Sequence, residues 1–316
     1  MTPSTWIVDA HRRAVRLAVF LGLGLLLISL PAQGQVRGVY PSGMSAINSG
    51  VTAEPGFSYS NLFIFYARDE LKGADGEVVN TGLNTVLMDM NTVIWAYKTE
   101  LMLGARYSAA ITLPIANNSL SSESEGALSG GGGFADSYYQ PVILGWRTPR
   151  ADIKVAYGFL APTGKFNAGA DDNVGSGYWT HAFSSGQTFY PSPNKRTTIS
   201  AFEMYEIHTE QEDTQIQPGD TFDLDYSAMQ TFPVGQELNL QAGLIGYAAW
   251  QTTDKTGPGI SSEAAGAHYR VYSLGFASNL LLPAQRVTLG LKYFDEFSNK
   301  STFEGYSVQI TGAVKF

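Results

Sequence analysis

Tyr306-Ser-Val-Gln-Ile-Thr-Gly-Ala-Val-Lys-Phe316 closes the chain, and its alternation decides the fold. Tyr306, Val308, Ile310, Gly312, Val314 and Phe316 fall on one face of an extended strand. Ser307, Gln309, Thr311, Ala313 and Lys315 fall on the other. This is a period of two carried to a terminal aromatic. A soluble sandwich can end on such a strand, but exposed ends there usually fray into polar coil. A membrane barrel has a stronger reason for it: its last strand must pair with its first, because an open edge in lipid leaves backbone groups without partners. The segment therefore predicts an all-β chain, a single antiparallel transmembrane β-barrel in contact with outer-membrane lipids. Tyr306, Val308, Ile310 and Phe316 form its C-terminal assembly signal, the part that barrel-assembly machinery would read.

The other end of the chain points to export. Arg12, Arg13 and Arg16 precede an apolar run from Leu17 to Leu30, followed by Pro31-Ala-Gln-Gly34. A basic region, an apolar region and a small-residue site have the form of a signal peptide. The run of about 14 residues is shorter than the roughly 20 that span a bilayer as a helix. The expected division is a signal peptide over 1–34, an N-terminal periplasmic segment over 35–56 and a barrel over 57–316. Cleavage removes three basic residues and one acidic residue, which takes the formal net charge from −8 to −10. Such a chain is a poor partner for nucleic acid. There are no cysteines, so no disulfide braces the exported chain; a closed hydrogen-bonded barrel supplies that stability instead. Glycine (34 residues), tyrosine (17) and phenylalanine (17) are abundant. Mean hydropathy is near zero, as when lipid-facing and lumen-facing residues alternate.

The mature region divides into twelve strands, near 57–68, 84–98, 101–114, 136–148, 152–163, 178–190, 196–210, 219–232, 238–252, 266–280, 286–299 and 303–316. Short turns fall at 99–100, 149–151, 191–195, 233–237 and 283–285. Longer loops fall at 69–83, 115–135, 164–177, 211–218 and 253–265. Short periplasmic turns alternating with longer extracellular loops are the barrel arrangement. Tyr138, Tyr139, Trp146, Phe189, Tyr190 and Trp250 gather near strand ends, as interface girdles do. The tetraglycine Gly130–Gly133 and the serines before it read as a flexible loop. Phosphate binding there lacks the Lys and Ser/Thr that should follow.

The strand faces nominate a lumen. Glu206 and His208 share one face of their strand, and Asp223 and Asp225 share the polar face of the next. Gln241 and Tyr247 share a face of 238–252. These six residues are the candidate substrate path, with Met88, Met90, Phe202 and Met204 as apolar footholds. Glu203 falls on the face opposite Glu206, so one of the two lies near an interface unless a bulge resets the register. Histidine and carboxylates together suggest acid–base or metal chemistry, with His181 and His208 as the candidates. A polar lumen contains such groups in any case, and no HExxH or nucleophile elbow is present. The expectation is a non-enzyme without cofactor or resident metal. Asp171-Asp172-Asn173 is a candidate cation loop because clustered carboxylate oxygens suit hard cations. Its spacing is not that of an EF-hand, and a solvated acidic loop is the alternative.

Residues 158–180, Gly-Phe-Leu-Ala-Pro-Thr-Gly-Lys-Phe-Asn-Ala-Gly-Ala-Asp-Asp-Asn-Val-Gly-Ser-Gly-Tyr-Trp-Thr, resemble the signature of the MetA-pathway of phenol degradation family. Tyr66–Gly76, Tyr205–Asp213, Gln217–Asp220 and Gly246–Gln251 resemble its other recurring blocks. His208 departs from the family pattern, which tends toward Asn there. The resemblance implies an outer-membrane channel or transporter-like barrel for small, hydrophobic or aromatic compounds. It supplies no catalytic residues. Two other roles remain open at this point: a structural or partner-binding barrel with an occluded lumen, and an outer-membrane hydrolase.

Overall fold

The computed structural model describes residues 38–122 and 126–316. The expected signal peptide lies outside them. Thirteen strands form the wall: β1 (Gly56–Lys72), β2 (Val78–Ala96), β3 (Arg106–Ser122), β4 (Gly126–Phe134), β5 (Ser137–Arg147), β6 (Ala151–Ala161) and β7 (Thr180–Phe189) come first. They are followed by β8 (Thr197–His208), β9 (Thr221–Val234), β10 (Leu238–Gln251), β11 (Arg270–Leu282), β12 (Val287–Lys300) and β13 (Phe303–Lys315). All pairings are antiparallel between neighbours. The ring closes where β1 meets β13, from Ser58 opposite Lys315 to Leu71 opposite Phe303. Twelve strands make the closed barrel, as the alternation predicts, and β4 is the extra one.

The faces follow from parity. Leu244 is 61% exposed, Phe276 58% and Ile310 51%, all in mid-strand, while Gln241, Tyr247, Ala277, Ser307 and Gln309 on the same strands are buried. The C-terminal strand thus sorts its residues as expected, with the apolar face outward. Outward-facing aromatics ring both ends. Trp95 lies 6.0 Å from Tyr97 and 6.1 Å from Tyr107 at the short-turn end. Phe222, Trp250, Tyr272 and Phe297 form a row at the other end, with neighbouring rings 5.8 to 6.4 Å apart. Tyr138 and Tyr190, expected in the girdles, are buried instead; the Tyr190 hydroxyl donates to Asp152 at 2.8 Å.

The main departures are at the long-loop end. Residues 69–83 and 115–135 were expected as loops. Instead β1 and β2 extend until only 73–77 connects them, and β3 runs on to Ser122 with β4 paired against it. The glycine tract belongs to β4, and its lack of side chains admits a close neighbour. The Gly130 N–H donates to the Asp171 carbonyl at 3.0 Å, and a Cβ on Gly131 would come within 2.3 Å of the Asp172 carbonyl oxygen. The loop over 162–179 thereby covers the far edge of β4, as a sheet edge requires. Glu203 needs no bulge. The register of β8 is unbroken with both neighbours, and Glu203 sits outward in mid-strand, accepting from Ser185 Oγ at 2.6 Å and Gln187 Nε2 at 3.0 Å.

Residues 38–55 form no strand. They were expected within a periplasmic segment, yet they pack along the inner wall of the barrel, from Glu206 at the long-loop end of β8 to Arg147 at the short-turn end of β5. A twelve-stranded barrel has a lumen that its own side chains only partly fill, and this segment occupies part of that space.

Candidate functional site

Charged and apolar side chains interleave in the lumen, and the inserted segment contacts both. Among the charged groups Asp225 is the hub. Its carboxylate accepts from the Tyr40 hydroxyl at 2.5 Å, Gly43 N–H at 2.7 Å and Ser45 N–H at 3.0 Å. Asp223 accepts from Ser42 Oγ at 3.2 Å. Glu206 accepts from Val39 N–H at 3.0 Å and Thr221 Oγ1 at 2.7 Å. Opposite them, Lys292 Nζ donates to the carbonyls of Gly43 and Met44, each at 2.8 Å, and to Gln309 Oε1 at 3.1 Å. Gln309 Nε2 in turn donates to the Ser42 carbonyl at 3.0 Å. Hydrogen bonds to charged groups are the stronger class, about 1.5–3 kcal/mol each. The segment's backbone is therefore held in a socket of fixed charges.

The sequence reading placed these residues in the lumen as footholds for a substrate. The structure places all six of them inward, but Glu206, Asp223 and Asp225 grip the chain's own inserted segment. Gln241 contacts Asn48 and Asn279. Tyr247 packs its ring 4.9 Å from Phe294 and donates to Glu296 at 2.8 Å. His208 hydrogen-bonds Thr180 Oγ1 through Nδ1 at 2.8 Å and lies 3.9 Å from Glu206. His181 faces outward against Tyr157, 2.9 Å from its hydroxyl. The two histidines stand on opposite faces of the wall, so the suggested two-histidine constellation does not assemble. In the candidate cation loop, Asp172 is ion-paired with Lys165, Asn173 Oδ1 accepts from Asn167 N–H at 2.8 Å, and the Asp171 carbonyl serves β4.

Three apolar patches line the lumen among the described residues, and the largest, with Met229, Ile245, Tyr247, Val271 and Phe294 on or beside β9 to β12, packs against Ala46 and Ile47. In the other two, Leu62, Ile64, Tyr66 and Met90 line β1 and β2; Tyr138, Ala182, Phe202 and Met204 line β5, β7 and β8. Met44 packs against both of these, and Tyr40 joins the latter. Tyr40, Gly43, Lys292 and Gln309 were absent from the sequence-derived path. Lys292 and Gln309 carried a signal, since both lie on the polar faces of amphipathic strands. Tyr40 and Gly43 lie in a stretch without periodicity.

Gly43 shows how closely the segment fits. Its φ is +83°, which favours glycine, and a Cβ there would stand 2.5 Å from Cζ of Phe294. Gly43→Ala should loosen the segment by roughly 1–3 kcal/mol through strain and overlap. Amide exchange over 38–46 checks this; protection equal to the parent's would contradict the fit.

At the short-turn end, Arg147 donates from Nε to Thr52 Oγ1 at 3.2 Å and from Nη2 to the Thr52 carbonyl at 2.5 Å, and pairs with Glu54. The Arg147 side chain, ahead of the nearby Arg106 and Lys315 charges, holds the Glu54 carboxyl below its ordinary value. A group with a depressed folded pKa stabilises above its unfolded value and loses that contribution as pH falls through the folded one. The protection factors of the amides around 50–56, corrected for intrinsic exchange, should therefore fall only in acid, below the ordinary glutamate range. The dependence should vanish in Glu54→Gln; a fall in protection at neutral or alkaline pH would contradict the assignment.

The profile of the family described as "Putative MetA-pathway of phenol degradation" matches residues 68–311. Comparison with curated proteins returned no match. Among solved structures, an outer membrane channel from Pseudomonas putida F1 superposes with a TM-score of 0.70 at 12% identity, covering 84% of this chain and 97% of that one. The β domain of the Bordetella autotransporter BrkA gives 0.49 at 11% identity, covering 83% of this chain and 100% of that one. The CymD monoaromatic hydrocarbon channel gives 0.34 at 11%, with 84% and 89% covered.

Proposed function

Because the chain belongs to the MetA-pathway of phenol degradation family, whose profile spans most of the barrel, we propose that it is an outer-membrane channel for passive uptake of small hydrophobic or aromatic compounds. One observation carries this reading. The lumen has apolar patches on separate regions of the wall, and the inserted segment, held by polar contacts rather than by sheet pairing, packs against each of them through Tyr40, Met44, Ala46 and Ile47. Apolar side chains inside a barrel give an oily molecule a route that water does not compete for. The segment blocks that route in the resting state. Passage requires its displacement, driven by the compound's own gradient.

The long loops face outward from the cell and the short turns face the periplasm in this reading. Outer-membrane vesicles that keep their lipopolysaccharide leaflet provide the test, because that leaflet resists apolar solutes. Vesicles containing the barrel should take up a labelled aromatic hydrocarbon faster than vesicles lacking it; equal rates would remove the channel role. The number of bonds holding the segment favours a second reading, a permanently occluded barrel that braces the envelope or holds a partner. That reading requires equal rates and an amide protection of 38–46 that no solute alters.

A further inference from the structure

Tyr40 is a phenol on a tether, and its surroundings come mainly from the barrel wall. Its ring stacks on Phe202 with centroids 5.3 Å apart and planes 28° from parallel. Met204, Ala182, Tyr138 and Leu160 complete the apolar seat. Its hydroxyl donates to Asp225 at 2.5 Å and accepts from Ser45 N–H at 2.9 Å. The side chain is 7% exposed. A ring-stacking wall with a carboxylate at the far end complements one kind of molecule: a planar ring bearing a hydroxyl opposite its remaining substituent.

We infer that the Tyr40 seat, formed by Phe202, Met204, Ala182, Tyr138 and Asp225, is a binding site for para-substituted phenols, and that such a ligand enters by displacing Tyr40. The inference rests on the channel reading and names its substrate class. Tyr40 holds the site closed by filling it, and its removal breaks the first contact between the segment and the Asp225 hub. Gly43 and Ser45 keep their own bonds to that hub, but Ser45 loses the Tyr40 hydroxyl and the segment loses the apolar anchor of the Tyr40 ring. Binding and unplugging are in this way the same event, and a ligand shifts the equilibrium only by its preference for the unplugged state.

The probes are 4-methylphenol, which reproduces the tyrosine side chain, and 4-methylanisole, which keeps the ring and the oxygen but cannot donate a hydrogen bond. With the wild-type barrel in detergent micelles, saturating 4-methylphenol should raise amide exchange over 38–46 by about tenfold, and 4-methylanisole should leave it unchanged. In Tyr40→Ala, where the seat is vacant, equilibrium dialysis should show 4-methylphenol bound about tenfold more tightly than by the wild type. Adding Asp225→Ala, which leaves no acceptor there, should abolish the preference over 4-methylanisole. Exchange over 38–46 that ignores both probes, or responds equally to both, overturns the site, and the wild-type arm decides this even where a variant does not fold. Vesicle uptake separates the two claims. Displacement without uptake keeps the seat and removes the channel, whereas uptake without displacement keeps the channel and removes the seat.

Discussion

An Asp225→Ala barrel is expected to release its lumenal segment and to conduct ions that the parent barrel passes poorly. Asp225 accepts three hydrogen bonds from the segment, from Tyr40, Gly43 and Ser45. Each is of the charge-assisted kind, so their loss amounts to at least about 3 kcal/mol, roughly a hundredfold shift in the docking equilibrium. The wall itself should tolerate the change, because the backbone of β9 keeps its ladder to β8 and β10. Lys292→Met should act in the same direction, since Lys292 holds the carbonyls of Gly43 and Met44 from the opposite side. Planar-bilayer recording is the direct readout. Frequent, larger openings in Asp225→Ala with an intact heat-resistant barrel are the expected result. Conductance equal to the parent's, with unchanged amide protection over 38–46, would mean that Asp225 is not the latch.

The second large effect concerns the outer wall. Leu244 sits mid-strand in β10 and is 61% exposed. If that face lies in hydrocarbon, Leu244→Arg costs about 2–4 kcal/mol. Leu103, in the turn between β2 and β3, is 90% exposed, and Leu103→Arg there should cost nearly nothing. Denaturant titration of folding into phospholipid vesicles compares the two. A large penalty at 244 beside a negligible one at 103 is expected. Equal penalties would remove the lipid-facing assignment.

These two expectations also mark what could be read from the chain. The wall was legible because most strands carry their own signal: Ile310 out and Gln309 in, Phe222 out and Asp223 in, Leu244 out and Gln241 in; 268–280, apolar on both faces, left its orientation open. The period of two needs no distant partner to be seen. The inserted segment was not legible. Gly38-Val-Tyr-Pro-Ser-Gly-Met-Ser-Ala-Ile-Asn-Ser-Gly50 has no period and reads as a linker, because its order comes mainly from bonds to residues 138 to 267 positions away. The charged residues of the lumen were found, but their use was not. Parity shows that Asp225 points inward; it does not show that three donors from residues 40–45 wait there. Gly130–Gly133 misled for a related reason. Glycine raises the conformational cost of a strand, and the gain that offsets it here is the close approach of the 162–179 loop, which local composition does not reveal.

The central claim is that a closed barrel carries its own N-terminal stretch inside its lumen, and the absence of native cysteine permits a clean test. Ser227 Oγ lies 2.6 Å from the Ala46 carbonyl oxygen. The double variant Ala46→Cys, Ser227→Cys, treated in intact outer membranes with small bifunctional thiol reagents of graded short span and resolved on a gel by its mobility, should cross-link within the chain, because the Ser227 side chain reaches the Ala46 backbone. Thiols that react singly but are bridged by none of the reagents, in a barrel that is otherwise folded, would place the segment outside the lumen and contradict the account.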